Sequence, residues 1–453
     1  MKIFLIWTDK SAEMNDLIAE FKKRGHEIVY WIGYEGMDKF KAPETIFHSY
    51  REALAAKPAR GVDVSGFSPP GANLLQKLHR TESLVLTMLN RFMDKASVDE
   101  RKHFYYQMVR YWHGVLKKYR PDAVVMSYIP HFVYDFVIYA LAETLGIKIL
   151  TFVDTRIPGR LLPLKDFWGG SEWLHDALEE NRDKNFKAED LPEDIKNYYA
   201  PRTDKNFNSP PPNLDFKINK YSTRFSLFNF FYLFTNNLKG QYLRLQSPPD
   251  FSKKFIYAPL QLQPECSTSP QGGAFVDQIL ALEILSAALP AGWLIYVKEH
   301  PLQWMRWGFG FSSIRYRDYY KKISEIDNVS IVPLETSSYK LINESQAVAT
   351  VTGAPGWEAV LRSKPAIVFG YPWYYDCPGL LHVKDFDSCR EAVEKIKNGF
   401  KIDHRPIINY LKSFGEAAIR GYIAPSAGAG SGLSNADSVK NIAAFIINEL
   451  PKL

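Results

Sequence analysis

Only three cysteines, Cys266, Cys377 and Cys389, occur in 453 residues, and no two of them are spaced as CxxC. Neither a disulfide framework nor a cysteine zinc site finds support, and a reducing, cytosolic compartment is expected. Long apolar runs are also missing. The longest aromatic-aliphatic stretch, Phe225 to Phe234, is interrupted by Ser226 and Asn229 and is about half the ~20 residues that span a bilayer. The opening Met1 to Trp7 is followed at once by Thr8-Asp9-Lys10, too short for a signal peptide, and reads as a buried strand. Charge of one sign is scarce as well: 56 Lys and Arg against 50 Asp and Glu give a net +6 with no long basic block. That balance argues against a nucleic-acid partner and leaves a shallow basic face for anionic lipid or an anionic substrate. No G-x-S-x-G elbow, Walker loop, H-E-x-x-H or Cys/His cluster is present.

What is present is alternation. Strands are expected at Lys2 to Trp7, Glu27 to Ile32, Ala123 to Tyr128 and Ile147 to Val153. Between them the spacing predicts helices at Ala12 to Arg24, Val98 to Tyr119 and His131 to Leu145, the last stopped by Gly146. From Pro158 to about Asp250 the pattern gives way to polar, Pro-rich sequence. It then resumes with strands at Lys254 to Ala258, Leu294 to Lys298, Val329 to Val332, Ala347 to Val351 and Ala366 to Phe369, each pair separated by a helix.

The fold class is therefore α/β, with two Rossmann-like, doubly wound domains expected to face a cleft. The length alone favours two cores. The expected division is an N-terminal domain over 1–165, an insertion or linker over 166–250, a second domain over 251–425, and a Gly-rich loop with a C-terminal helix over 426–453 that packs back.

Four strand exits carry chemistry. Tyr296-Val297-Lys298-Glu299-His300-Pro301 ends a strand in a cation, a carboxylate and an imidazole. Ten His and 28 Pro predict roughly 0.6 His-Pro pairs by chance, so the position at the strand's carboxyl end is what adds information. There His300 could offset charge on a leaving phosphate, or be a corner histidine held by backbone. Thr352-Gly353-Ala354-Pro355-Gly356-Trp357-Glu358 is a small-residue loop opening a helix. Gly353 and Gly356 allow close backbone approach, Thr352 adds a hydroxyl, and Glu358 could accept from a ribose or merely complement the helix dipole. Pro259 to Glu265, with Gln263 and Glu265, offers hydrogen-bonding groups for a sugar or base, or is a polar surface loop.

In the first domain, Asp154 follows a strand and is the candidate general base, with Arg156 or Arg160 holding an anionic group. An Asp capping its own loop is the alternative. His131, beside Pro130 and Asp135, is a second base candidate and acceptor contact, or a helix-start histidine. Asp385-Phe386-Asp387 resembles a metal signature but is better explained by Asp387-Ser388 capping the helix from Cys389. The Gly428 to Gly432 run follows no strand and fails as a dinucleotide loop. Trp373, Tyr374 and Tyr375 could stack on sugars, though most aromatics are core.

Taken in order, Pro259 to Glu265, Gly272-Gly273 to Gln278, Tyr296 to Pro301, Thr352 to Glu358 and Lys364 to Gly370 resemble the bacterial capsule polysaccharide biosynthesis family over about residues 254 to 372. That family looks like GT-B glycosyltransferases, and its best understood members transfer Kdo from CMP-Kdo. The Lys-x-His-Pro element is also similar to the CMP-binding motif of bacterial GT-B sialyltransferases. The resemblance implies that Lys298 and His300 contact the donor phosphate, that Thr352, Gly353 and Gly356 cradle phosphate or sugar carboxylate, and that Glu358 holds the ribose. It implies no metal and no cofactor beyond a nucleotide-sugar co-substrate, most simply CMP-linked, with a polysaccharide or glycolipid acceptor. A UDP- or GDP-sugar enzyme, including an epimerase, and a non-catalytic glycan-binding protein are the rival readings. Phe225 to Phe234 with Lys217, Lys220 and Arg224 nearby would be the place for peripheral membrane contact.

Overall fold

The computed structural model describes residues 1–8, 14–208, 238–263, 265–301, 303 and 315–452. The Phe225 to Phe234 run, the neighbouring Lys217, Lys220 and Arg224, and the first residues of the helix expected from Ala12 lie outside the described residues. The chain forms two compact units, one from Met1–Lys184 with Leu411–Leu453 and the other from Asn185–Tyr410.

The first unit is built on seven strands: β1 (Lys2–Ile6), β2 (Glu27–Gly33), β3 (Ile46–Ser49), β4 (Ala123–Met126), β5 (Lys148–Asp154), β6 (Arg160–Leu164) and β13 (Ile419–Arg420). Their order is β13-β6-β5-β4-β1-β2-β3. Strands β1 to β5 pair in parallel, and β6 and β13 pair antiparallel at one edge. Their apolar runs are buried on both faces, as parallel strands covered by helices must be. On one face Ile3, Leu5, Leu17, Phe21 and Trp31 share a core with Ile442, Ile446, Ile447 and Leu450 of the helix Asn435–Glu449 and its end. On the other, Phe4, Tyr30 and Trp112 pack ring against ring.

Local chemistry sets the element ends. Ser97 and Glu100 form a reciprocal capping box that starts the helix Val98–Tyr119. Gly146, at φ +68°, ends the helix Val133–Leu145 in the left-handed conformation that glycine adopts without strain.

The second unit has six parallel strands, β7 (Phe255–Pro259), β8 (Leu294–Lys298), β9 (Val329–Ile331), β10 (Ala347–Thr350), β11 (Ala366–Val368) and β12 (Leu380–His382), in the order β12-β11-β10-β7-β8-β9. Chain direction across this sheet reverses between β7 and β10, and across the first between β1 and β4. Such switch points are where open α/β sheets receive ligands, outside the strands' carboxyl ends. Both units are therefore Rossmann-like. The stretch 166–250 divides between them, the helix Glu172–Glu180 belonging to the first and Glu193–Arg202 to the second. Among the described residues no helix is long and apolar enough to cross a membrane.

Candidate functional site

The carboxyl ends of β7, β8, β10 and β11 bring the sequence motifs of the second unit to one edge of one sheet. At the exit of β10, Thr350 Oγ1 accepts from the Gly353 backbone N–H at 3.0 Å and from Gln261 Nε2, at the exit of β7, at 2.8 Å. A side chain at Gly353 would collide with the Gln261 carboxamide, and one at Gly356 would lie 2.6 Å from Tyr374 Oη and 2.8 Å from Thr350 Cγ2. Both glycines are needed for close approach, by neighbours inside the protein. Tyr374 Oη donates to the Gly353 carbonyl at 2.5 Å, and Thr352 Oγ1 donates to the Ser267 carbonyl at 2.5 Å. The loop is thus fixed from three sides. Gly353 is the N-cap of the helix Ala354–Leu361 and supplies no capping side chain. The orphan N–H groups and positive dipole end of that helix are features that favour an anion.

Lys298 closes β8. Its Nζ donates to the Thr336 carbonyl at 2.5 Å and to Ser338 Oγ at 3.0 Å, leaving its third proton without a partner among the described residues. Burial pushes the ammonium down to about 8, against the nearby Glu335 carboxylate, which favours the charge. His300 follows, half-buried, its backbone N–H donating to Glu299 Oε1 at 2.6 Å and its carbonyl accepting from Gln303.

The residue that organises this edge is Arg315, to which the sequence reading gave no role. Its guanidinium is buried and donates to Glu299 Oε2 at 2.8 Å, Glu299 Oε1 at 3.1 Å, the Gln261 carbonyl at 2.9 Å and Gln263 Oε1. Tyr320 Oη adds a 2.6 Å bond to Glu299 Oε2. Gln263 also donates from Nε2 to the Val276 carbonyl at 3.0 Å, so both ends of its carboxamide hold the loop. Glu265 is half-buried, and its carbonyl accepts from Thr268 and Ser269.

Glu358 lies one turn into its helix, with Tyr257 and Arg362 as electrostatic neighbours. Glu335, beside Lys298, was also missed; the signal was available, a carboxylate just past the strand Val329 to Val332. Trp373 packs its ring on Trp357, and Tyr375 stacks with Tyr371.

The helix Phe386–Lys397 is capped by Asp385, whose Oδ1 accepts from the Ser388 backbone N–H at 2.8 Å, while Asp387 pairs with Arg390. This corrects the expected cap, since Asp387-Ser388 is already inside the helix. Among the described residues no group of three or more His, Cys, Asp or Glu could hold a metal ion.

In the first unit, Asp154 ends β5 and both its oxygens accept backbone amides, Oδ1 from Ile423 at 2.9 Å and Oδ2 from Ala424 at 2.8 Å. Burial raises its carboxyl, and the two amides pull it back down. Arg160 lies buried within β6 and donates from Nη1 to the Gly415 and Ala418 carbonyls. Arg156 is exposed. Asp154 and Arg160 therefore tie the segment around β13 to β5 and β6. Replacing Asp154 by alanine leaves two amides without their acceptor and should cost about 1–3 kcal/mol. Urea denaturation measures this, and a loss under about 0.5 kcal/mol, the ordinary range for surface substitutions, would contradict it.

His131 lies beside the switch point, after β4. Its Nδ1 is 2.8 Å from the Ile129 carbonyl, so the neutral ring carries its proton there and presents Nε2 as an acceptor. Its backbone N–H donates to Asp135 Oδ2 at 3.2 Å.

Residues 247–402 match the family model described as capsule polysaccharide biosynthesis protein. No curated protein matches the chain. Solved structures that resemble it include UDP-GlcNAc 2-epimerase from Methanocaldococcus jannaschii, 14% identical over 91% of this chain and 98% of that one, with a TM-score of 0.26. KpsC β-Kdo 2,4 transferase from Thermosulfurimonas dismutans is 12% identical over 66% of this chain and 79% of that one, with a TM-score of 0.34. Scores this low carry no functional argument. The family match, by contrast, spans β7 to β12 with every strand exit of the second unit described above, so residues 247–402 are similar to capsule polysaccharide biosynthesis proteins.

Proposed function

We propose that the chain is a glycosyltransferase that moves a Kdo-like or sialic-acid-like sugar from a CMP-activated donor to a surface polysaccharide or glycolipid acceptor, with no metal. The observation that carries this reading is that Lys298, His300 and the uncapped start of the helix Ala354–Leu361 all follow the carboxyl ends of strands of one parallel sheet, within the residues that match the capsule biosynthesis family. Lys298 offers its third N–H to the donor phosphate, and His300 stands two residues on. The backbone at Thr352, Gly353 and Gly356 receives a phosphate or the sugar's carboxylate. Glu335, beside Lys298, and Glu358, on the helix, are the carboxylates available to ribose hydroxyls.

As the glycosidic bond to the phosphate breaks, negative charge grows on the phosphate oxygen. Fixed N–H dipoles and a cation already oriented there stabilise that charge without reorganising. This is the work a divalent ion performs in other phosphate sites.

The test is thermal unfolding of the wild type and His300→Ala with CMP, UDP, GDP and ADP. A ligand at 100 times its Kd that binds only the folded state adds roughly 2.7 kcal/mol. CMP alone should stabilise the wild type, and the variant should lose the shift. A larger shift with UDP or GDP would replace the donor assignment, and no shift with any nucleotide would favour a non-catalytic glycan-binding protein.

A further inference from the structure

The chain that follows β8 leaves the sheet but keeps its backbone hydrogen bonds, most of them with side chains. The Lys298 carbonyl accepts the Leu260 N–H at 2.8 Å, and the Glu299 N–H donates to Tyr242 Oη at 3.2 Å. The His300 N–H donates to Oε1 of Glu299, the residue before it, at 2.6 Å. The His300 carbonyl accepts the Gln303 N–H at 2.9 Å. Pro301 disfavours a helical backbone at His300.

Two arms lead from this turn to Arg315. In the first, the buried Glu299 carboxylate accepts the His300 amide while Arg315 Nε and Nη2 and Tyr320 Oη engage both its oxygens. In the second, the buried Gln303 exchanges two hydrogen bonds of 3.1 Å with the backbone of Gln263, whose Oε1 accepts from Arg315 Nη1. A buried ion pair adds little stability that well-packed apolar side chains could not. What apolar side chains cannot supply is an acceptor for the His300 amide.

We propose that Glu299 is a positioning residue for His300: its carboxylate, locked by Arg315 and Tyr320, fixes the peptide that carries the imidazole to the donor phosphate. This rests on the nucleotide-sugar reading of the site. His300 makes the phosphate contact, and Glu299 acts only through it. Arg315 has a second part in the arrangement. Its guanidinium, 2.8 Å from Glu299, neutralises the carboxylate inside the core, so a negative charge stands next to the phosphate-binding residue without repelling the phosphate.

The experiment compares two double variants of the full chain, Glu299→Gln with Arg315→Met and Glu299→Met with Arg315→Met. Glu299→Met alone would strand the Arg315 cation in the core, and its instability would mask the effect. Both doubles remove the ion pair with side chains of similar size, but only glutamine keeps an acceptor for the His300 amide. They are compared where circular dichroism shows both folded, by ³¹P NMR titration with whichever of CMP, UDP, GDP and ADP stabilises the wild type most.

The methionine double should bind that nucleotide about 10–10²-fold more weakly than the glutamine double, the span of a hydrogen bond to a charged group. With His300→Ala added to each, the difference should shrink to within about twofold, because the two positions act as one. A purely structural loss would persist in that background. A gap under about tenfold between the doubles, or a gap that survives His300→Ala, overturns the positioning role and leaves the donor-site reading intact. A wild type that binds none of the four nucleotides defeats the donor-site reading, and the positioning role with it.

Discussion

Arg315→Met should destabilise the second unit by about 3–5 kcal/mol, the cost of breaking a buried ion pair from one side. Glu299 would remain in the core with Tyr320 Oη, its own neighbour's backbone N–H and no cation, while the Gln261 carbonyl would lose one of its two donors and keep only Gln278 Nε2. Adding Glu299→Gln to Arg315→Met should recover much of that loss, because a paired replacement removes the stranded charge. Urea denaturation of both variants measures the effect, and a single variant within about 0.5 kcal/mol of wild type, the range expected of surface changes, would show that the pair does not hold the edge. The functional consequence lies in Gln261 and Gln263. Arg315 holds both on the exit of β7, and Gln261 in turn fixes Thr350 at the loop that starts the helix Ala354–Leu361. Loss of the CMP shift should therefore accompany the loss of stability.

The second large effect depends on pH. Asp135 holds its proton up to about pH 8 in the folded chain, whereas an unfolded Asp releases it near 3.9. Between those values the folded state binds more protons than the unfolded state, so the stability of the wild type falls as pH rises through the window. The group contributes no penalty below the unfolded value and its full penalty above about pH 8. Folding costs about 1.4 kcal/mol for every pH unit by which it delays a carboxyl's ionisation, which places the full penalty on the order of 5 kcal/mol. Asp135→Asn cannot ionise and its carbonyl still accepts from His131. It should match the wild type near pH 4 and exceed it by several kcal/mol at about pH 9, beyond both ionisation points. Denaturation midpoints across this range decide the matter, and parallel curves for the two proteins would show that Asp135 ionises with an ordinary affinity.

Periodicity made the central strands and long helices legible. Val98–Tyr119 and Leu294–Lys298 have the bounds their sequences imply, because a capping box, a strong apolar face and a polar stop are all local signals. The edge strands β6 and β13 were not legible. Each is short, β6 contains Pro163, and they exist because residues some 250 positions apart pair with each other. The candidate site divides in the same way. Strand exits announce Lys298, His300 and the Gly353 to Gly356 loop, since position and residue type suffice. Gln263 looked like ligand-binding equipment but spends its carboxamide on Arg315 and Val276. Asp154 looked like a base and is engaged by Ile423 and Ala424. In each case the missing information was a partner distant in sequence, and a buried arginine gives no periodic signature of its own.

The first unit is not continuous along the chain: its core needs both Met1–Lys184 and Leu411–Leu453. Synthesis runs from the N-terminus at about 5–20 residues per second, so the whole of Asn185–Tyr410 must leave the ribosome before Ile442, Ile446 and Leu450 can cover Ile3, Leu5 and Leu17. For some tens of seconds at that rate the nascent chain carries an exposed apolar face. Its second unit, contiguous in sequence, can fold in the meantime and be the first part completed.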